Sequence, residues 1–300
     1  MANSQGTKTS SFGVSKRENH DSTEFYRRNL YSKGNSSTNV SEKQENIVPV
    51  DVIDHLFSKS SSNMSMIPNF SVHLVVTSPP YNVGKEYEKD LSLKSYTRLI
   101  RNVLKECYRV LVDGGRLCLN VANIGRKPYI PMHKIVIDIA LKIGFQMRGE
   151  VIWNKSAGAG SSTAWGSWKS AANPTLRDIH EYILIFSKGG FGRDKNGKID
   201  TITGEEFARF TQSIWSFMPE SAKKVNHPAP FPLELPYRCI QLYSFKGDVV
   251  LDPFCGVGTT CLAAKLNGRH YIGFDKNKRY IEIAETRLES SFGEQIKMPI

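Results

Sequence analysis

Short aliphatic runs alternate with stretches of helical period along most of this chain, and that alternation narrows the folds open to it more than any other feature. SVHLVVT reads as a buried strand. The stretch SYTRLIRNVLKECYRVLVDGG sets Tyr96, Leu99, Ile100, Val103, Leu104, Cys107, Tyr108 and Leu111 at helical spacing, with Gly114-Gly115 expected to end the helix. RLCLNV is the next strand, PMHKIVIDIALKIG a helix closed by Gly144, and FQMRGEVIWNK a further strand. EYILIFSK, GDVVLD and HYIGFD read as strands in turn, with helices over TTCLAAKLNG and KRYIEIAETRLES. Strands separated by helices of roughly ten or more residues pair in parallel through right-handed crossovers, so the class is α/β.

Two segments break the pattern. Residues 1–45 are rich in Ser and Asn and poor in aliphatics, as in KGNSSTNVSEKQEN. Such a segment buries too little apolar surface to offset its ordering entropy, and a mobile N-terminal arm is expected. Residues 156–226 lose the period again. SAGAGSSTAWGSWKSAANPTLRDIH is rich in Gly, Ala and Ser, and 188–226 carry Lys188, Arg193, Lys195, Lys198, Arg209, Lys223 and Lys224. The main domain is expected over 46–290, with 156–226 as an insertion within it and 291–300 as a tail.

Composition bounds the partners. Lys and Arg number 40 against 29 Asp and Glu, a net charge of +11. That balance suits a polyanion, because each cation near a phosphate releases a counterion, although solubility alone accounts for it equally well. No run of about 18 apolar residues is present to span a membrane. The N-terminus MANSQGTKTSSFG lacks the apolar core of a secretory signal, so an intracellular protein is expected. Cys107, Cys118, Cys239, Cys255 and Cys261 form no CxxC pair and read as small buried hydrophobes rather than zinc ligands or disulfides. The histidines (His20, His55, His73, His133, His180, His227, His270) are dispersed, so no metal site is expected. The absence of GxxxxGKS or GxxxxGKT argues against a phosphate-cradling nucleotidase.

VVLDPFCGVGTTCLAAKLNG, residues 249–268, is more specific. An apolar strand runs into Asp252-Pro253-Phe254, then a Gly-x-Gly turn, then a helix start. Gly256 and Gly258 allow a sharp turn and a close approach of backbone to ligand. Thr259 or Thr260 is placed to cap the helix, whose first N–H groups and dipole face the same crevice. The next strand, HYIGFD, ends in Asp275, about 20 residues on, the spacing at which a carboxylate grips ribose hydroxyls in nucleotide sites. A plain glycine turn followed by a helix-capping aspartate reads the same way, so this motif alone leaves both open.

TSPPYN, residues 77–82, closes the strand SVHLVVT. Pro-Pro is often punctuation, yet a rigid loop at the carboxyl end of a strand is also where open α/β sheets place working groups. TSPPYN and DPFCGVGTT together resemble the catalytic and cofactor motifs of the DNA amino-methyltransferases, which use S-adenosylmethionine. HPAPFP resembles the motif with which that family holds the methionine end of the cofactor. The order, catalytic motif first and cofactor motif last, is similar to the circularly permuted beta group. The resemblance covers roughly residues 46–290; it does not extend to the arm, and 156–226 matches loosely.

The resemblance implies a doubly wound, mainly parallel seven-stranded sheet with one antiparallel strand, a Rossmann-like methyltransferase fold carrying an irregular DNA-recognition insertion. It implies that Asp252, Phe254, Cys255, Gly256, Gly258, Thr259, Thr260 and Asp275 hold S-adenosylmethionine, and that His227, Pro228 and Phe231 line its methionine side. Asp51 falls where the family often has an acid near the adenine, although VPVDVID departs from the usual Gly-Asp pattern. Ser78, Pro79, Pro80 and Tyr81 become the catalytic residues, acting on an exocyclic amine of a base flipped out of double-stranded DNA. Proline-fixed backbone aims the Ser78 and Pro79 carbonyls outward to accept from the amine with the Ser78 hydroxyl, and Tyr81 offers a face for stacking.

In the insertion, some of Trp165, Trp168, Lys169, Asn173 and Arg177 are expected to enter a groove or fill the place of the flipped base, with Lys223 and Lys224 on phosphates. Adenine enzymes of the family usually place Asp or Asn where this chain has Ser78, which favours N4 of cytosine over N6 of adenine. A methyltransferase acting on RNA or on a protein amide, and a non-catalytic nucleic-acid-binding descendant, stay open beside these. A monomer or homodimer is expected, with no membrane partner.

Overall fold

A computed structural model of the chain describes residues 45–80, 91–155, 166–219 and 232–290, together with 7, 8, 20, 21, 28 and 30. The chain divides into two units. In the first, residues 1–41, β1 (Thr7–Lys8) pairs in parallel with β2 (His20–Asp21). Apart from residues 28, 30 and 45, the rest of the expected arm lies outside the described residues, as does the tail 291–300.

The second unit, residues 42–300, is built on one eight-stranded sheet. In chain order its elements are β3 (His55–Ser58), β4 (Val72–Thr77), α1 (Leu93–Val110), β5 (Leu111–Val121), α2 (Met132–Ile143), β6 (Gln146–Asn154) and β7 (His180–Ser187). There follow α3 (Gly204–Phe210), β8 (Ile214–Ser216), α4 (Glu234–Tyr243), β9 (Val249–Asp252), α5 (Thr259–Leu266), β10 (His270–Asp275) and α6 (Lys278–Ser290). Across the sheet the order is β3-β10-β9-β4-β5-β7-β6-β8, and every pairing is parallel except the two that β7 makes.

The α/β class and the single antiparallel strand are as expected, but the sheet has eight strands rather than seven. The addition is β8, from the aperiodic segment. Its Trp215 is 1% exposed, pairs in register with Trp153 and donates its indole N–H to Phe210 O at 3.1 Å. Burial of one large ring thus draws a three-residue strand onto the sheet edge.

Side chains alternate between the two faces, and each face has its own core. Val72, Val75, Leu117, Leu119, Leu184, Leu251 and Phe274 pack with α1 and α2 on one side. Leu74, Val76, Cys118, Ile183, Ile185 and Val250 pack with α4 and α5 on the other. The buried stripe of α1 is Tyr96, Ile100, Val103, Leu104, Cys107 and Val110; of the other expected positions, Leu99 and Tyr108 are partly buried and Leu111 belongs to β5. From β4 the chain crosses through α1 to β5, and from β9 it crosses through α5 to β10 on the opposite face. The winding therefore reverses between β4 and β9, and the loops after these two strands open a crevice at their carboxyl ends.

Gly114-Gly115 does not end α1. The helix stops at Val110 and β5 starts at the next residue, with the glycines in a bulge where the β4 register jumps from Val72↔Leu111 to Leu74↔Arg116. The buried Lys188 ammonium caps α1 instead, donating to Leu111 O at 2.5 Å and to Arg109 O at 3.3 Å.

Candidate active site

The two crevice loops are tied together at their base. Asp252, the last residue of β9, is 1% exposed and accepts at Oδ1 from Thr77 Oγ1 at 2.7 Å and from the Phe254 amide at 3.1 Å. Thr77 is the last residue of β4, so the pair pins the carboxyl ends of neighbouring strands. Burial pushes the Asp252 carboxyl up to about 6, while the Thr77 and Thr260 hydroxyls and the Phe254 amide hold back part of the rise.

Past Asp252 the chain turns sharply. Gly256 has φ 49° and Gly258 φ 77°, left-handed values that strain other residues. The Gly256 amide donates to Asp275 Oδ2 at 3.1 Å, the Asn277 amide to Asp275 Oδ1 at 2.7 Å, and the Cys255 amide to Phe274 O at 2.8 Å. The end of β10 thereby braces the glycine turn. Burial raises the Asp275 carboxyl, and the amides of Asn277, Gly256 and Lys276 pull it back.

Neither threonine caps α5. Gly258 is the N-cap, so Thr259 and Thr260 already stand inside the first turn, where their hydroxyls reach neighbouring elements rather than the helix amides. Thr259 Oγ1 accepts from Arg287 of α6 at 3.3 Å, and Thr260 Oγ1 donates to Val76 O of β4 at 3.4 Å. Gly258 also differs from expectation in what it lets approach. A Cβ there would lie 2.8 Å from Ala284 Cβ, so this glycine admits α6 rather than a ligand. The left-handed turn, the half-buried Asp275 carboxylate, the first amides of α5 and the part-buried Phe254 ring remain grouped on the crevice. Backbone donors, a carboxylate for hydroxyls and an apolar face fit a nucleoside-bearing cofactor.

Ser78, Pro79 and Pro80 follow Thr77 directly, with Ser78 half-buried. Asn120, on β5, directs Nδ2 at Ser78 Oγ, 3.5 Å away. The same nitrogen donates to Glu181 Oε2 of β7 at 2.6 Å, and Lys155, one residue past β6, donates to Glu181 Oε1 at 2.5 Å. Asn120 and Glu181 are buried. None of the three belongs to a contiguous motif. The available signal was a polar residue inside an aliphatic run, Asn120 in LCLNV and Glu181 at the head of EYILIF.

Because β7 runs against its neighbours, its first residues lie beside the ends of β5 and β6: Tyr182 pairs with Val121 and His180 with Asn154. The segment feeding β7 therefore emerges at the crevice edge. Residues 166–174 form a closed turn there, with a Gly166–Pro174 bridge and Ser167 Oγ bonded to Ser170 O at 2.7 Å and to Asn173 N at 2.8 Å. The turn leaves Trp168 62% exposed, with the Lys169 ammonium 5.7 Å from its ring centroid, and Arg177 is exposed just beyond. On the same edge His133 stacks on Tyr182 at 4.4 Å between centroids, and Arg126 pairs with Asp178 at 3.1 Å.

Asp51 does not join this group. It lies in the exposed turn before β3; β3 runs parallel to β10 and pairs Ser58 with Asp275, so the turn is at the opposite edge of the sheet. Several basic residues of the aperiodic segment also follow β7 to that far edge. There Arg193 pairs with Asp248 at 2.6 Å, Lys195 with Asp200 at 2.5 Å and Lys198 with Glu45 at 3.3 Å. The strand β8, parallel to β6, then returns the chain toward the crevice edge at Phe217. A cavity of about 490 Å³ lined by Arg116, Arg193, Thr203, Phe207 and Tyr243 sits at the far edge and touches none of the motif residues. Tyr81, Trp165, Lys223, Lys224, His227, Pro228 and Phe231 lie outside the described residues. Among the described residues, no three His, Cys, Asp or Glu group to hold a metal ion, and no helix is long and apolar enough to cross a membrane.

Residues 72–286 match the family model of N6 and N4 DNA methylases, a span that contains both crevice loops. The chain is 30% identical to the Type II methyltransferase M.MthZI of Methanothermobacter thermautotrophicus, over 79% of this chain and 76% of that protein. It is 32% identical to the Type II methyltransferase M.MjaI of Methanocaldococcus jannaschii, over 75% and 88%. Among solved structures, TTHA0409 of Thermus thermophilus complexed with S-adenosyl-L-methionine superposes with a TM-score of 0.64 at 30% identity, over 79% of this chain and 95% of that one. The cytosine-N4-specific PvuII DNA methyltransferase shares the fold with a TM-score of 0.62 at 20% identity, over 77% and 85%. With its two motif loops at the reversal point of the sheet, the chain belongs to the DNA methylase family of N6 and N4 methyltransferases, which use S-adenosylmethionine.

Proposed function

We propose that this protein is a site-specific methyltransferase acting on N4 of a cytosine flipped out of duplex DNA. The observation that carries the reading is the position of Ser78-Pro79-Pro80 at the end of β4, tied through Thr77 to Asp252 at the foot of the glycine turn. S-adenosylmethionine supplies an electrophilic methyl group when bound. The loop from Asp252 to Thr260 and the Asp275 carboxylate hold it, with Phe254 and Cys255 packed beside the turn and His227, Pro228 and Phe231 on the methionine side.

The target amine shares its lone pair with the ring, so the protein has to turn that pair outward. Pro79 and Pro80 fix the backbone and bring no N–H to compete, which leaves the Ser78 and Pro79 carbonyls and the Ser78 hydroxyl to accept the amine hydrogens. Those contacts draw the nitrogen toward tetrahedral geometry. Tyr81 stacks on the flipped ring, a contact of about 1–3 kcal/mol. Alignment of the amine for transfer, rather than proton abstraction by a weakly basic serine, would supply the rate, and the methylated nitrogen would then release its extra proton to water. Trp168, Lys169 and Arg177 meet the DNA from the segment that β7 brings to the crevice, and Trp165, Lys223 and Lys224 are proposed as further DNA contacts.

Serine at position 78, in place of a longer Asp or Asn acceptor, favours cytosine, the smaller ring that sits deeper in the loop. Digestion of DNA modified by the pure protein, followed by nucleoside separation, tests this. N4-methylcytosine is expected; N6-methyladenine alone overturns the assignment.

A further inference from the structure

We infer that Lys155, Glu181 and Asn120 form a buried relay that positions the Ser78 hydroxyl for methyl transfer, an inference that rests on Ser78 being the catalytic residue proposed above. Glu181 sets the direction of the relay, because its carboxylate only accepts hydrogen bonds. With Asn120 at 2.6 Å from Glu181 Oε2, the Asn120 side chain must present its NH₂ group there. The amide orientation is thereby fixed, and the same nitrogen is aimed at Ser78 Oγ, 3.5 Å away. Lys155 holds the second Glu181 oxygen at 2.5 Å, and its ammonium lies 5.5 Å from the Trp153 ring centroid. The charge on Glu181 is thus compensated at a position only 9% exposed.

Asn120 and Glu181 stand on adjacent strands, and Lys155 follows the strand beyond, so the backbone ladder sets their spacing. The contact to Ser78 is long, as such contacts are before substrate binds, and shortens when the amine enters the crevice. The hydrogen bonds that link the three run to Ser78 and to one another. The three are positioning residues, acting through Ser78.

Glu181→Gln keeps the shape but offers an amide, which lets Asn120 turn its carbonyl toward Ser78. The experiment measures total transfer of labelled methyl groups to DNA, whichever base receives them, with cofactor affinity by calorimetry and melting temperature alongside. Glu181→Gln is expected to lower kcat about 10- to 100-fold, with KM for DNA and cofactor affinity changed less than about twofold. In a Ser78→Ala background the same substitution is expected to cost less than about twofold more, because nothing is left to position. Where Glu181→Gln folds poorly, Lys155→Met at the more exposed end gives the same comparison. Independently of activity, the Asn120 side-chain amide resonances, displaced by a bond to a carboxylate, should return to the ordinary asparagine range in Glu181→Gln. Equal losses in both backgrounds, an undiminished kcat or unmoved resonances overturn the relay. An adenine product overturns the cytosine assignment instead and leaves this comparison intact.

Discussion

Thr77 Oγ1 lies 2.7 Å from Asp252 Oδ1 although 175 residues separate them in the chain, and this bond joins the strand before the Ser-Pro-Pro loop to the strand before the glycine turn. Thr77→Val keeps the shape and removes the donor, leaving a buried carboxylate short of a partner. A loss of about 1–3 kcal/mol in stability is expected from denaturant unfolding, with weaker S-adenosylmethionine binding by calorimetry. Unchanged stability and affinity would remove the bond from both roles.

Asp252 also sets a pH dependence. Its carboxyl stands at about 6 in the folded protein against an ordinary 3.8. Between those values the folded state holds a proton that the unfolded chain has released. The group therefore contributes stability that is fully present below about pH 4 and lost as pH rises through about 6, worth about 3 kcal/mol at most. Relative to Asp252→Asn, the cofactor-free wild type should gain stability as pH is lowered from about 7 to about 4. A flat difference between the two unfolding curves across that range contradicts the assignment.

Gly258 carries a packing prediction. Its φ is 77°, and a Cβ added at this position would meet Ala284 Cβ at only 2.8 Å. Gly258→Ala should therefore cost about 1–3 kcal/mol, and Gly258→Val more. Cofactor affinity should fall with it, because α6 is pushed off the turn. Ala284→Gly should restore part of the melting temperature of Gly258→Ala. Absence of any rescue would assign the whole cost to backbone strain.

DNA contact should be one-sided. Reversing Lys169 and Arg177 to Glu should weaken DNA binding and reduce the salt slope by about two. Reversing Lys195, which pairs with Asp200 at the far edge, should leave the slope unchanged. Anisotropy titrations at several salt concentrations read both. The opposite ranking would move the DNA surface to the far edge.

Strands covered on both faces leave unbroken apolar runs, and for that reason VHLVVT, YILIF and VVLD were legible in the sequence along with the helices between them. A tripeptide has no period, so β8 was invisible until Trp215 showed its buried partners. Gly114-Gly115 looked like a helix stop because glycine marks both a stop and a bulge, and only pairing with β4 separates them. The crevice loops were readable because each motif is contiguous. Asn120 and Glu181 were not, since their meaning depends on which strands become neighbours. The position of Asp51 is hidden in the same way: distance along a chain does not say which edge of a sheet a turn will occupy.

The direction of β7 separates two parts of the chain. Entering the sheet against its neighbours, it collects the chain at the crevice edge and releases it at the other. The stretch before it can lengthen, shorten or be exchanged as a cassette without disturbing the strands that carry the methyl-donor loops. On the function proposed above, the DNA-facing segment can thus vary while the methyl-donor loops keep their form, and the antiparallel strand is what separates the two.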